Sequence, residues 1–293
     1  MIYDVTHVTS YEYELPVASA DFLLHLTPHE GNGQHVIETR IEIDPPALDM
    51  QARRDFFGNR TTVLKITRPH QALDIRTVSR IEVERPQVPA AALTRPWEAV
   101  ARDALNAPSL GPQSPVHFLY ASRLAYLSTP ATQFARESFA PGRPILEAGI
   151  ALMTRIRDEF RYVPGTTAIS TPLAQVFEQR SGVCQDFAHL MIAGLRGLGL
   201  SAAYVSGYIR TIPPRGQPRL QGADASHAWV SLWCGAEFGW IGLDPTNALL
   251  IGDDHVEVAI GRDYSDVSPV KGVFIGSGRD SLSVSVDVAP VAA

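Results

Sequence analysis

The chain has 293 residues, 45% hydrophobic and 19% charged, which is enough to bury a large core and exceeds what one ordinary domain needs. A formal net charge of -6 excludes the broad basic footprint that nucleic acid or an anionic membrane surface would call for. Two cysteines cannot form a disulfide scaffold, and MIYDVTHVTSYEYEL carries neither a basic leader nor an apolar core, so a cytoplasmic protein with reduced thiols and no membrane segment is expected.

Residues 1–85 alternate with period two in YDVTHVTSYEYEL, ASADFLLHLTP, HVIETRIEIDPP, RTTVLKI and ALDIRTVSRIEVER, each rich in Val, Ile, Thr or Tyr. Five or so strands in a β-sandwich-like N-terminal domain follow. FFGNR between two of them reads as a hairpin turn, with Gly58 and Asn59 as its positive-φ residues. His25, His29 and His35 lack the spacing of a zinc set and read as surface-loop residues. Residues 86–143 form a Pro/Ala-rich connector with helical candidates in WEAVARDAL, PVHFLYASRLAYL and ATQFARESF.

Residues 144–293 form the second domain, with helices first and then a sheet, an α+β order. Ile145, Gly149, Leu152, Ile156 and Phe160 share one face of a helix that Pro144 opens, and Thr171-Pro172 opens another, short one. A third begins at or near Cys184, places Phe187, Leu190, Met191, Gly194, Leu195 and Leu198 at helical spacing, and ends at Gly199. Strands follow in AAYVSGYIR, ASHAWVSLWC, FGWIGLD, HVEVAI, KGVFIG and SLSVSVDVAPV, with an exposed loop expected over Pro213–Pro218.

The chemistry gathers at three positions. A thiol at a helix N-terminus meets unpaired N–H groups that favour thiolate and could also hold an oxyanion, although a small buried residue is the alternative for Cys184. His227 opens a strand and Asp244 closes the next one. If the two strands pair as a hairpin, imidazole and carboxylate become neighbours, as a base and the group that fixes its tautomer must be. On the same strand, Cys234 takes the face opposite His227 and reads as a buried small residue. His189 should point away from the thiol, while Asp186 should serve the helix dipole yet oppose thiolate formation.

GVCQDFAHL, SHAWV and GWIGLDPTN together resemble the three signature blocks of the transglutaminase-like superfamily, and YDVTHVTSYEYELPV with DFFGN resembles the N-terminal β domain of its bacterial members. That resemblance implies a papain-like core of helices on an antiparallel sheet, with Cys184 as nucleophile, His227 as base and Asp244 as orienting acid. It further implies thiol-dependent acyl transfer at the amide bonds of a peptide or protein, through a thioester and with no metal or organic cofactor. Tyr162 is a candidate second oxyanion donor, with a core aromatic as its alternative. Asp263 and Tyr264, in GRDYSDVSPVKGVF, are candidates for the substrate groove. Three activities stay open. Hydrolysis by a cysteine peptidase or amidase is preferred, since water is the default acceptor of an accessible thioester. A protein-glutamine transglutaminase is the second and a non-catalytic binding module the third.

Overall fold

The alternation at the start of the chain produces one long strand, β1 (Ile2–Val17), whose odd residues from Tyr3 to Tyr13 face inward and whose even ones face outward. The computed structural model describes residues 1–211 and 225–291, so the loop expected over Pro213–Pro218 lies outside the described residues. Five further strands complete the first half: β2 (Ser19–Leu24), β3 (Gln34–Asp44), β4 (Asp49–Arg54), β5 (Arg60–Ile66) and β6 (His70–Val83).

Helices follow as α1 (Trp97–Leu105), α2 (Thr129–Arg136) and α3 (Ile145–Glu159), then strand β7 (Arg161–Tyr162), α4 (Leu173–Gln179), strand β8 (Ser181–Gly182) and α5 (Cys184–Gly197). The remaining elements are β9 (Ala202–Ile209), β10 (Ala225–Trp233), β11 (Trp240–Asp244), β12 (Leu249–Leu250), β13 (His255–Gly261), a short α6 (Tyr264–Val267), β14 (Val270–Ile275) and β15 (Asp280–Pro290). The architecture is α+β. Of the connector segments, PVHFLYASRLAYL makes only a 3-10 turn at Pro115–Phe118. The buried Arg196 guanidinium donates to the Phe118 carbonyl at 3.0 Å and to the Ser122 hydroxyl at 3.0 Å, so a side chain of α5 holds this segment in place.

Two four-stranded antiparallel sheets, ordered β15-β1-β6-β3 and β14-β2-β5-β4, pack around Phe22, Leu24, Leu64, Ile66, Leu73 and Ile75. This is the expected sandwich with one correction. Its outer strands β14 and β15 come from the far end of the chain, pairing Val270 with Leu24 and Tyr3 with Pro290, so the second domain does not run to residue 293. Local periodicity cannot show which distant strand a segment will join.

The second unit is a five-stranded antiparallel sheet, β12-β11-β10-β9-β13, with α5 lying on its β9 and β10 strands. Ala228, Val230 and Leu232 of β10 face the helices, where Phe187, Leu190, Met191 and Leu195 of α5 are all buried. Each large apolar side chain so buried contributes about 1.5–3 kcal/mol, which is why the helix stays seated on the sheet. Gly199, at φ +79°, closes α5 as expected.

The sandwich and this sheet share a core of their own, where Tyr3, Val5, Ile81 and Val288 meet Tyr208, Val256 and Val258. Edge strand β13 is also bound to the sandwich by two side-chain amides. Gln34 gives its Nε2 to the Glu257 carbonyl at 2.8 Å and takes the Glu257 N–H at 2.9 Å. Asn59 does the same for Ile260, at 2.8 Å in both directions. The pair imitates a neighbouring strand and satisfies an edge that would otherwise be open. Asn59 is therefore a fully buried anchor; only Gly58 of the FFGNR turn has a positive φ, +86°. His25 and His29 are likewise buried, His25 Nδ1 donating to the Ser268 carbonyl at 3.1 Å, and of the three histidines only His35 is at the surface. Sequence reasoning placed these residues on a free loop because the docking of the two units was not visible to it.

Candidate active site

Cys184 is the first residue of α5 and half-buried, with its thiol free. The helix starts there because Asp186 accepts the Val183 N–H at 2.8 Å, and the same oxygen also accepts the Thr167 hydroxyl at 2.6 Å. Burial raises the Asp186 pKa, which weakens the opposition its charge would offer to a thiolate two residues away.

β10 and β11 pair antiparallel from Trp233–Trp240 to Val230–Leu243, and this register brings the start of one strand to the end of the other. His227 Nε2 lies 2.7 Å from Asp244 Oδ2, with both side chains buried. The close approach has a backbone reason. Gly207, the partner of His227 on β9, would drive a Cβ to 2.2 Å from the Val256 carbonyl and 2.4 Å from the Trp229 ring. A larger residue there would displace the indole that packs beside the His227 ring at 6.1 Å.

Since Nε2 is committed to Asp244, Nδ1 is the ring nitrogen left for the thiol. Burial disfavours charge on His227, but hydrogen bonding to Asp244 and Cys184, together with their charges, outweighs it and lifts the imidazole pKa. For Asp244 burial again raises, while hydrogen bonds from His227, His255 and Asn247 hold the carboxyl well below the usual carboxylate range. The Asp244 Oδ1 atom accepts from the Thr246 N–H at 2.9 Å and the Asn247 N–H at 3.3 Å, and Oδ2 also accepts from Asn247 Nδ2 at 2.7 Å. The geometry can hold a carboxylate, an imidazolium and a thiolate in a row.

His227, Asp244 and His255 also offer three ligand atoms within 4.8 Å of one another, the one such group among the described residues. Two ligands of a tetrahedral ion at about 2.1 Å would stand about 3.4 Å apart. The 2.7 Å separation of His227 and Asp244 is shorter than that and is the length of a charge-assisted hydrogen bond.

Cys184 and His227 open onto a cleft of about 310 Å³ whose opposite wall is the sandwich, through His7, Thr9 and Tyr11 of β1 and Leu282 and Val284 of β15. His7 links the units. It takes or gives a hydrogen bond with the Tyr208 hydroxyl at 3.0 Å and another with Thr9 Oγ1 at 2.8 Å, and burial pushes its pKa down to about 4, so it is neutral. Tyr264 lines the cleft and is positioned by buried His189, whose Nε2 accepts the Tyr264 N–H at 3.2 Å. Asp263 does not line it. Its carboxylate is buried and caps α6 through the Ser265 N–H at 2.8 Å while taking the Leu124 N–H at 2.8 Å, so the groove expectation for Asp263 is corrected to a structural one. Tyr162 pairs with Gly182 across β7 and β8 but is half-exposed, neither in the core nor among the residues lining the cleft. Desolvation and the nearby Cys184 raise its phenol pKa. Cys234 is buried, and burial raises its thiol pKa to about 12.

Gln185, Thr9, Leu282, Asn247 and His255 all lie at the site or behind it without having been singled out by sequence reasoning. For Asn247 a signal was present in DPTN, since a side-chain amide three residues after a strand-ending aspartate can fold back onto its carboxylate.

A model of the transglutaminase-like superfamily matches residues 132–245, which include Cys184, His227 and Asp244, and one of the bacterial transglutaminase-like N-terminal region matches residues 3–82. The chain belongs to the transglutaminase-like superfamily. Among its relatives, an uncharacterized protein of Mycobacterium tuberculosis is 40% identical over 295 residues, spanning 98% of this chain and 92% of that protein. A protein-glutamine gamma-glutamyltransferase of Pseudomonas aeruginosa is 32% identical over 104 residues, which are 33% of this chain and 15% of that enzyme. A crystal structure from Cytophaga hutchinsonii, provisionally described as a cysteine protease, superposes with a TM-score of 0.74 at 22% identity, covering 99% of this chain and 90% of that one. That superposition shows that the two chains share a fold over the sandwich as well as the core.

Proposed function

We propose that this chain is a thiol-dependent acyl-transfer enzyme that hydrolyses amide bonds in peptides or proteins, with Cys184, His227 and Asp244 as its catalytic residues. The observation carrying the reading is the placement of His227 between a buried carboxylate at 2.7 Å and the thiol at the start of α5. The Cys184 sulfur attacks the amide carbonyl, a carbon–sulfur bond forms, and the tetrahedral oxyanion is held by N–H groups of the first turn of α5. Tyr162, whose phenol feels the Cys184 charge, is the proposed second donor. Collapse breaks the carbon–nitrogen bond as His227 passes its proton to the departing amine, leaving a thioester. Water then attacks the thioester carbonyl, His227 takes a proton from it, and release of the carboxylic acid restores the thiol.

Among the described residues the cleft wall carries no Asp, Glu, Lys or Arg, and His7 is held neutral, so the acyl donor is proposed to be uncharged beside the reacting carbonyl. Both cysteines are free, which suits a reducing compartment such as the cytoplasm. Transfer to an amine is the second reading, favoured by the local identity to the Pseudomonas gamma-glutamyltransferase.

Incubating the full chain and Cys184→Ala with a panel of neutral peptide amides, with and without a primary amine, separates the two. A free carboxylate formed with wild type alone, and undiminished by the amine, supports hydrolysis; amine incorporation supports transfer. Equal turnover by both proteins ends the catalytic reading.

A further inference from the structure

We infer that His255 is a positioning residue of this site, holding the Asp244 carboxylate from the side opposite His227 and acting through it on the Cys184–His227 pair. The inference rests on the catalytic reading above and goes beyond the three residues that reading uses. His255 opens β13, in the strand next to β9 and not in the hairpin that carries His227 and Asp244, so nothing in the local sequence ties it to them.

Its ring is buried, and Nε2, 3.5 Å from Asp244 Oδ2, makes no hydrogen bond in this geometry. The other nitrogen, Nδ1, faces the Gly252 N–H at 3.5 Å and so must be the acceptor. That assignment puts the ring proton on Nε2, toward the carboxylate. A buried imidazole N–H with one candidate acceptor is not a neutral packing choice, because leaving it unpaired has a full desolvation cost. At 3.5 Å the contact is long, as hydrogen bonds of a resting site often are before charge develops and draws them in.

Trp229 makes the arrangement rigid. Its ring stands edge-on to His255 at 5.4 Å and beside His227 at 6.1 Å, so one indole fixes the approach of both imidazoles to the same carboxylate. The groups facing Asp244 are His227 from β10, Asn247 from the turn after β11 and His255 from β13, with Cys184 of α5 beyond His227. Asp254, adjacent to His255 in the chain, is already engaged by Arg210 at 2.8 Å and by the Tyr3 hydroxyl at 3.1 Å. The carboxylate oxygen that serves His227 therefore also accepts from Asn247 and faces His255. With the His255 donor withdrawn, that oxygen is held from one side fewer, and the carboxylate is freer to turn away from the imidazole it orients.

The test uses the full chain as wild type, His255→Phe, which keeps a ring without a donor, and His255→Gln, which keeps a donor without a ring. The rate of iodoacetamide alkylation at Cys184 is followed from pH 4 to 9 by peptide mass spectrometry, and thermal unfolding checks that each variant is folded. The expected result is an acid limb of the rate profile displaced upward by about one pH unit in His255→Phe, about tenfold slower along that limb, as befits one hydrogen bond to a charged group. His255→Gln should recover most of the rate, and His255→Phe should have no further effect in an Asp244→Asn background. Superimposable profiles for wild type and His255→Phe overturn the inference, as does an undiminished His255→Phe effect when Asp244 is already Asn. A wild-type Cys184 no more reactive than a denatured-state thiol overturns the catalytic reading itself, and this inference with it.

Discussion

Replacing Asn59 by Ala removes one side chain from a turn of the sandwich and is expected to loosen the opposite unit. The amide donates to the Ile260 carbonyl and accepts the Ile260 N–H, both at 2.8 Å, and also donates to Asp55 Oδ2 at 2.7 Å. Alanine leaves two backbone groups of edge strand β13 without partners in a partly buried seam. At about 1–2 kcal/mol for each such group the cost is about 2–4 kcal/mol. A chain of this size should then melt about 4–12 °C lower, taking the smaller per-kcal shifts of larger proteins. Asn59→Asp should be no better, because its second oxygen would face the Ile260 carbonyl and the Asp55 carboxylate. Differential scanning calorimetry at pH 7 measures both. If Asn59→Ala melts within 2 °C of wild type, the amide pairing is not what seals the β13 edge.

Asp244→Asn is expected to lower kcat for amide hydrolysis by about 10⁴-fold, the size of loss seen when a triad carboxylate is neutralised. The new NH₂ would face the His227 N–H, forcing the imidazole into the tautomer that cannot take the thiol proton; an unaltered rate in a folded variant would contradict this. In acid, His7 and His189, whose folded pKa values are both lowered by burial to about 4, resist protonation that the unfolded chain accepts near 6.5. Their contribution is present above about pH 6.5 and is lost as pH falls toward 4, by up to about 3 kcal/mol each. Urea titrations at pH 7 and 5 should show the loss, with a shallower dependence in a folded His7→Gln variant. Leu282→Asp, on the exposed side of the cleft wall, should leave the melting temperature within about 2 °C while raising KM for neutral peptide amides several-fold. Unchanged kinetics would remove β15 from the substrate site.

Much of the site was readable without coordinates because its chemistry is tied to ends of local elements. Cys184 at a helix start, His227 at a strand start and Asp244 at a strand end are marked by their own flanking residues, and a single hairpin brings the last two together. What escaped reading depends on pairing between distant segments. β14 and β15 alternate like any strand, and nothing in KGVFIG or SLSVSVDVAPV says that their partners are β2 and β1. His255, Asn59 and Gln34 are ordinary polar residues until β13 is laid against the sandwich. Asp263 looked like a groove residue because its neighbour Tyr264 is one, yet a strand end followed by a short helix turns adjacent side chains in different directions.

One face of β1 does three jobs in sequence: Tyr3 and Val5 pack on the second sheet, His7, Thr9 and Tyr11 line the cleft, and Tyr13 enters the sandwich core. A central strand so committed leaves little room for variation, since any new side chain in its middle disturbs the packing on both sides. The neighbouring edge strand β15 presents Leu282 and Val284 to the same cleft with about half of each side chain in solvent. A change of side chain on β15 therefore reshapes the cleft at less cost to the fold than the same change on β1.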